Sequence, residues 1–397
     1  CVRAAGGAGG IAGAAGSGGV GGVGGLAGGG GSRDAAVDLS MDKGPPPCSV
    51  DANTCAADKP ICDPIHLACR ACETSPDCQG LKIGKPVCRL GGEAGRAAAC
   101  VECTQDRDCT DRSKPVCDQS TNSCVGCAKD DDCGRFAPGV CKTAASGADA
   151  GATKGHCVGD DETIYVSKTA GCSDTPATAS PDAGADAGVQ GESSGRPFCS
   201  MEPIRTLLST TRSVVIVSGE VSGASWSYAN QALGPLLIVG QGATIAGAAS
   251  PAFQMSSGEV TIRRVTFQTA TTTAIGIEAD GGTLRLDHVT VQNCKGGGIW
   301  LNGANFDIQN SRIVSDGPGT YGGFSWGGIL ETKIPGTAPT NISQVTVATN
   351  NGQGIICMNK LTGSGVLAYG NVSPTQVSTS CGLELCTDAA TMCGAQP

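Results

Sequence analysis

The chain has 397 residues with 36 acidic and 27 basic side chains, a formal charge of −9, and only 3% aromatic residues. An acidic chain without a basic cluster argues against nucleic acid as a partner, and no apolar run approaches the eighteen or so residues of a membrane helix. Its 24 cysteines, most of them in one block, call for an oxidising compartment and hence a secreted or surface protein.

Residues 1–47 open CVRAAGGAGG, and their first thirty or so are almost entirely glycine and alanine. Such a segment cannot bury enough surface to fold; as flexible coil about forty residues reach roughly 35 Å. A chain that starts at cysteine and runs into a tether resembles a bacterial lipoprotein, cleaved just before a cysteine that then carries diacylglycerol. The resemblance implies a lipid on Cys1 and a membrane partner through it. Val2 is not the aspartate that holds many such proteins in the inner membrane, which points to the outer membrane or cell surface.

Residues 48–159 are a repeat. The phrases CRAC, CVEC and CVGC recur at Cys69–Cys72, Cys100–Cys103 and Cys124–Cys127. Acid-cysteine pairs follow at a fixed distance, Asp77-Cys78, Asp108-Cys109 and Asp132-Cys133, then KPVC-like phrases ending at Cys88, Cys117 and Cys141, with Cys62 closing a divergent first copy. Cys48, Cys55 and Cys157 complete the sixteen. CxxC spacing suits zinc and redox chemistry as well as disulfides. With Phe136 as its only aromatic the block has little core, so structural disulfides, two per repeat, are the expectation. Four cysteines allow three connectivities, and the spacing does not choose among them. The acidic runs at Asp106, Asp108 and Asp130–Asp132 read as solvated turns, with calcium as the alternative; no other metal or cofactor is implied. The xDC and KPVC phrases resemble the cysteine-rich repeats of myxobacterial surface lipoproteins, which implies a stalk or protein-contact module.

Residues 160–385 read as all-β. ETIYV at 162–166 and GRPFCSMEPIRTL at 195–207 resemble the opening strand and cap of right-handed parallel β-helix proteins of pectin-lyase-like architecture. Between them SPDAGADAGVQGESSG reads as an insertion flanked by Cys172 and Cys199, which are expected to pair. Short β-branched runs then centre on Ile216, Ile238, Ile262, Leu286, Ile308, Ile342 and Val366, at spacings of 22, 24, 24, 22, 34 and 24 residues. A second register carries Gly-Ile pairs at Ile277, Ile299, Ile329 and Ile355. Two short strands per turn at a fixed period, with glycine at the corners, predict a solenoid of about seven turns. The long spacing holds TYGGFSWGG, read as a projecting loop.

Within IRRVTF, LDHVTV and IQNSRI the first, fourth and sixth positions are expected inside. Arg263 then lies beside Asp287, and Arg285 beside Asp307, on outward columns as structural charge pairs. The pectin-lyase-like family includes lyases and hydrolases with clustered aspartates, or an arginine beside calcium-binding carboxylates. The coils carry no Asp-Asp pair and no GHG or RIK phrase. The outer-face acids (Glu278, Asp280, Asp287, Asp307, Glu331) are scattered, so Asp287, Asp307, Arg263 and Arg285 are the weak catalytic candidates. His288, the domain's only histidine, is expected to point away from Asp287. The glycine runs lack a following helix, so no nucleotide site is expected. The stronger candidate is a binding face. Trp300 should point outward in a column with Leu330 and Ile356, near Tyr321, Phe324 and Trp326 on the loop. Aromatic faces of this kind suit sugar rings or a partner protein, unless the loop folds back over the column.

The tail, residues 386–397, carries Cys386 and Cys393, which with Cys357 and Cys381 make two further staples, leaving Cys294 as a free buried thiol. The whole reads as a lipid-anchored surface protein displaying a β-helix for binding or adhesion to polysaccharide or a surface partner. The alternatives are a polysaccharide lyase or glycoside hydrolase, and a structural envelope protein without a ligand.

Overall fold

The computed structural model describes residues 48, 55, 59–81, 83–91, 97–143, 154–175, 190–223, 226–229, 233–247, 251–269, 273–334 and 340–385. Cys1 with the tether, residues 176–189 of the insertion, and the tail with Cys386 and Cys393 lie outside the described residues. Cys48–Pro397 forms one compact unit. Among the described residues no helix is long and apolar enough to cross a membrane.

The cysteine block is four disulfide modules, each with one short antiparallel hairpin, such as Val116–Asp118 with Ser123–Val125. The connectivity left open by the sequence is first-to-third and second-to-fourth throughout. It comprises Cys48–Cys62 and Cys55–Cys69, Cys72–Cys88 and Cys78–Cys100, Cys103–Cys117 and Cys109–Cys124, and Cys127–Cys141 and Cys133–Cys157. In each module the two bridges lie side by side, three of the four sulfurs within 4.8 Å of one another, and they replace an apolar core. Such a density of disulfides requires an oxidising, extracytoplasmic environment.

The acid that precedes the second cysteine in the last three modules accepts two backbone N–H groups in each. Asp77 Oδ2 accepts the N–H groups of Glu73 and Thr74 at 2.9 and 3.1 Å. Asp108 Oδ2 does the same for Thr104 and Gln105 at 2.8 and 3.0 Å, and Asp132 Oδ2 for Ala128 and Lys129 at 2.8 and 3.2 Å. Asp106 and Asp130 each accept the N–H of the third cysteine at 2.8 Å. The acidic runs thus cap short turns.

From Thr163 onward the chain coils into a parallel β-solenoid of about six turns. One sheet carries Val214–Gly223, Leu236–Gly247, Glu259–Thr269, Thr283–Asp287, Asn305–Gln309 and Thr340–Ser343. A second carries Phe253–Met255, Ile275–Ala279, Gly297–Asn302, Phe324–Lys333 and Gln353–Cys357. Arg264, His288, Asn310 and Gln344 take left-handed backbone angles, φ +55°, +54°, +48° and +53°. Each bends its turn and consumes one residue, so inward positions run first, fourth, sixth rather than by strict alternation, as in Ile262, Val265 and Phe267.

The inward column is Ile164, Val215, Ile238, Ile262, Leu286, Ile308 and Ile342. Two expected centres shift. Ile216 faces outward, because the run VVIV is apolar on both faces. Val366 continues the column after the bend, above Val345, because Leu367 pairs with Thr346. Glu331 is not an outer-face acid. It stands between Leu301 and Cys357 in an inward column, and its carboxylate accepts the N–H groups of Met358 and Asn359, each at 3.0 Å, and the Asn359 amide at 2.9 Å.

At the bend before the second sheet, Cys294, Asp316, Asn350 and Asn371 stack on successive turns. Each side-chain oxygen accepts the N–H of the residue one turn earlier: Asp316 from Cys294 at 2.6 Å, Asn350 from Asp316 at 2.9 Å and Asn371 from Asn350 at 3.0 Å. The two asparagine amides also donate back to Ile313 and Val347 carbonyls at 3.2 and 3.1 Å. Asp316 has no N–H to give, and its fully buried Oδ2 is without a partner among the described residues. Burial pushes its carboxyl up to about 8. Cys294 is the free buried thiol expected, its ionisation pushed up by burial and by Asp316.

The outward columns of the first turns are apolar where Tyr165, Val214, Ile216, Leu237 and Val239 line up, and Val140 and Val158 of the last disulfide module pack on them. Lys142 reaches Glu162 at 3.2 Å and Ser213 at 3.0 Å, and Asp130 takes Arg264 at 2.7 Å and Arg263 at 3.5 Å. The last module is therefore seated on the flank of the solenoid. Cys172 pairs with Cys199 and Cys357 with Cys381.

Two outcomes test this account. Asp316→Asn supplies the missing donor. Because the native carboxyl holds its proton up to about 8, against 3.8 when unfolded, parent stability is complete below pH 3.8 and falls by about 1.4 kcal/mol per pH unit toward pH 8. The variant's stability advantage in urea denaturation should therefore grow between pH 5 and pH 7.5; parallel profiles would show an ionised Asp316. Reduction should cost about 2–4 kcal/mol per bridge and open the disulfide modules first. Hydrogen exchange would show amides of residues 97–142 losing protection while Ile262 and Ile308 keep theirs; simultaneous loss would contradict it.

Candidate functional site

Parallel register builds the outward face of the second sheet. Gln254 lies beside Glu278, Glu278 beside Trp300, Trp300 beside Leu330 and Leu330 beside Ile356. Two residues along each strand, on the same face, stand Asp280 and Asn302. Asp280 accepts from Gln254 Nε2 and from Asn302 Nδ2, both at 3.1 Å. Trp300 Nε1 donates to Thr332 Oγ1 at 3.3 Å. Glu278 is half-buried, and burial followed by the neighbouring Asp280 raises its carboxyl above the usual range. The scattered acids Glu278 and Asp280 are thus neighbours of Trp300, one turn of 22 residues away; that period was the signal available in the sequence.

The projecting segment is a β-hairpin, Gly319–Tyr321 against Phe324–Lys333. Gly322 and Gly323 turn it with φ of +55° and +85°, the two positive angles of a type I′ turn. It folds back over the column. Trp326 is 2% exposed and packs with Leu330 and Ile356. Gly297, at φ +120°, lies under its ring, where a Cβ would overlap the indole. Of the four aromatics expected on the face, Trp326 is interior. Trp300 is half-buried and meets Tyr321 edge-on at 5.7 Å, while Tyr321 and Phe324 remain 38% and 53% exposed. The arrangement is an aromatic edge beside a carboxyl-amide cluster, able to stack on a ring and to bond its hydroxyl groups.

The weak catalytic candidates fall elsewhere. Arg263, Arg285, Asp287 and Asp307 all line the cleft between the last disulfide module and the first sheet. Their register is as expected, Arg263 beside Asp287 and Arg285 beside Asp307, but the ion pairs differ. Arg263 pairs with Asp130 of the module and Arg285 with Glu259. Asp287 accepts from Asn310 at 2.9 Å, and Asp307 from Gln309 and Asn341 at 2.7 and 2.8 Å. His288 does not point away from Asp287. Its left-handed backbone turns the ring back, placing Nδ1 2.8 Å from the Asp287 carboxylate. Both groups of this pair are solvent-exposed.

No family model, curated protein or solved structure matches the chain.

Trp326→Ala should cost about 3–5 kcal/mol, the loss for a fully buried tryptophan, and uncover Leu330 and Ile356. Denaturant titration together with binding of a dye for exposed apolar surface checks this. A loss under about 1 kcal/mol would show that the hairpin does not cover the column.

Proposed function

We propose that the protein is an extracytoplasmic binding protein whose solenoid presents Trp300, with Gln254, Glu278, Asp280 and Asn302, to a polysaccharide. The observation that carries the reading is the register that sets Glu278 directly beside Trp300 and Asp280 beside Asn302, so that stacking surface and hydroxyl-binding groups share one face. The surrounding strands are pinned on both sides, which supplies a face ordered before any ligand arrives. Tyr321 and Phe324 extend the aromatic surface from the hairpin.

Glu278 favours a second reading. Burial and then Asp280 raise its carboxyl, the direction that suits a general acid beside a second acid in glycoside hydrolysis. This is the polysaccharide-degrading alternative, with Glu278 and Asp280 in place of Asp287 and Asp307.

The full chain is incubated with neutral and acidic polysaccharides and run by size exclusion with mass detection. Co-elution with intact neutral polymer, abolished by Trp300→Ala, is the expected result. A fall in polymer mass that Glu278→Gln stops would establish the hydrolytic reading instead. Elution of the protein alone from every mixture would overturn both.

A further inference from the structure

The cleft between the last disulfide module and the solenoid has no part in the reading above. It consists of two adjoining cavities of about 450 and 490 Å³ that share Thr143, Thr261, Arg263 and Arg285 as walls. Volumes of this order accommodate small ligands. The first cavity is cationic although the chain is acidic overall. Among the described residues Lys142, Lys154, Arg263 and Arg285 line it, with His156, against the carboxylate of Glu259. Among the described residues several of these cations share their acids. Glu162 serves Lys142 and His156 together, Asp130 serves Arg263 and Arg264 together, and Glu259 serves Arg285. Lys154 makes no ion pair among the described residues. The second cavity is mixed in charge: Asp130, Asp131, Asp287 and Asp307 line it together with Lys129, Arg263, Arg264 and Arg285, and Gln309 adds an amide.

We propose that this cleft binds an anionic oligosaccharide. A uronate carboxylate would lie in the first cavity against Lys154, Lys142 and Arg285, where charge-assisted hydrogen bonds are strongest. The following sugar would pass the threonine walls into the second cavity, where Asp287 and Asp307 accept its hydroxyl groups. A neutral sugar leaves the cationic end without a counter-charge, so the site discriminates by charge. The ligand touches module and solenoid at once and stabilises the seated module by its binding free energy. This site is separate from the Trp300 face and does not depend on it.

The test is calorimetric titration of the full chain at low salt with a mannuronate trimer, with mannotriose and inorganic sulfate as comparison probes. The trimer is expected to bind, mannotriose not to bind, and affinity to fall as salt rises. Lys154→Gln, at an exposed position that packing does not need, should weaken the trimer about three- to tenfold; the double variant with Arg285→Gln should weaken it at least about tenfold. Trp300→Ala should leave it unchanged. Equal binding of mannotriose, an unaltered affinity in Lys154→Gln, or loss of binding in Trp300→Ala would each overturn the proposal. Sulfate binding as tightly as the trimer would overturn its saccharide part. A Trp300→Ala variant that loses the neutral polysaccharides above but keeps the trimer separates this proposal's success from that of the Trp300 reading.

Discussion

Hydrogen bonding between successive turns fixes everything else in the solenoid. A strand paired in parallel with the turn below and the turn above leaves no freedom to slide. Whatever bends the chain must therefore do so at the same place in each turn. Arg264, His288, Asn310 and Gln344 share one left-handed angle, although only asparagine among them favours it. Three dissimilar side chains are held there because the pairing on either side over-determines the backbone. The stack from Cys294 to Asn371 answers the same constraint by another route. It bonds the bend's own N–H groups to the next turn, where a buried unbonded donor would cost about 1–3 kcal/mol.

The disulfide modules meet the same problem with different chemistry. Their hairpins are two or three residues long, too short to hold themselves. Paired bridges take the place of aliphatic layers, and in the last three modules an aspartate takes the place of the next strand by accepting two N–H groups. Where the two constructions meet, the apolar outward columns of the first turns and the valines of the last module close over each other. The seam continues outward as charge: Val239 is followed in its column by Arg263 and then Asp287. The change from apolar to charged along one column marks the edge of the module.

That edge also shows how far the sequence could be read. The period of 22–24 residues is visible because each turn repeats the same inward aliphatics, and the free thiol followed from counting staples. The unbroken runs VVIV and LLIV were legible as strands; that they are covered on both faces, unlike the alternating TLRLD, emerged only with the fold. What covers them was not legible, since Arg263 and its partner Asp130 stand 133 residues apart and only the folded chain joins them. The interior place of Trp326 depends in the same way on a hairpin turning back, which GG in TYGGFSWGG allows but does not dictate. Glu331 looked like a surface acid because inward carboxylates are rare. It is tolerated because two backbone N–H groups and an amide meet it.

Three carboxyls withdrawn from water show where stability alone does not account for the sequence. Glu331 is compensated by its donors. Asp316 occupies a stack in which its neighbours are amides, and retains its proton in place of a charge. Glu278 has neither arrangement: it is half-buried beside a second acid, and among the described residues it makes no hydrogen bond. A glutamine there would relieve both burial and repulsion without disturbing the strand. A side chain that packing would replace, set against a tryptophan whose ring is also left partly in water, is the kind of local conflict that folded sequences otherwise avoid. The conflict is confined to one face of one sheet, the face that carries the proposed binding site.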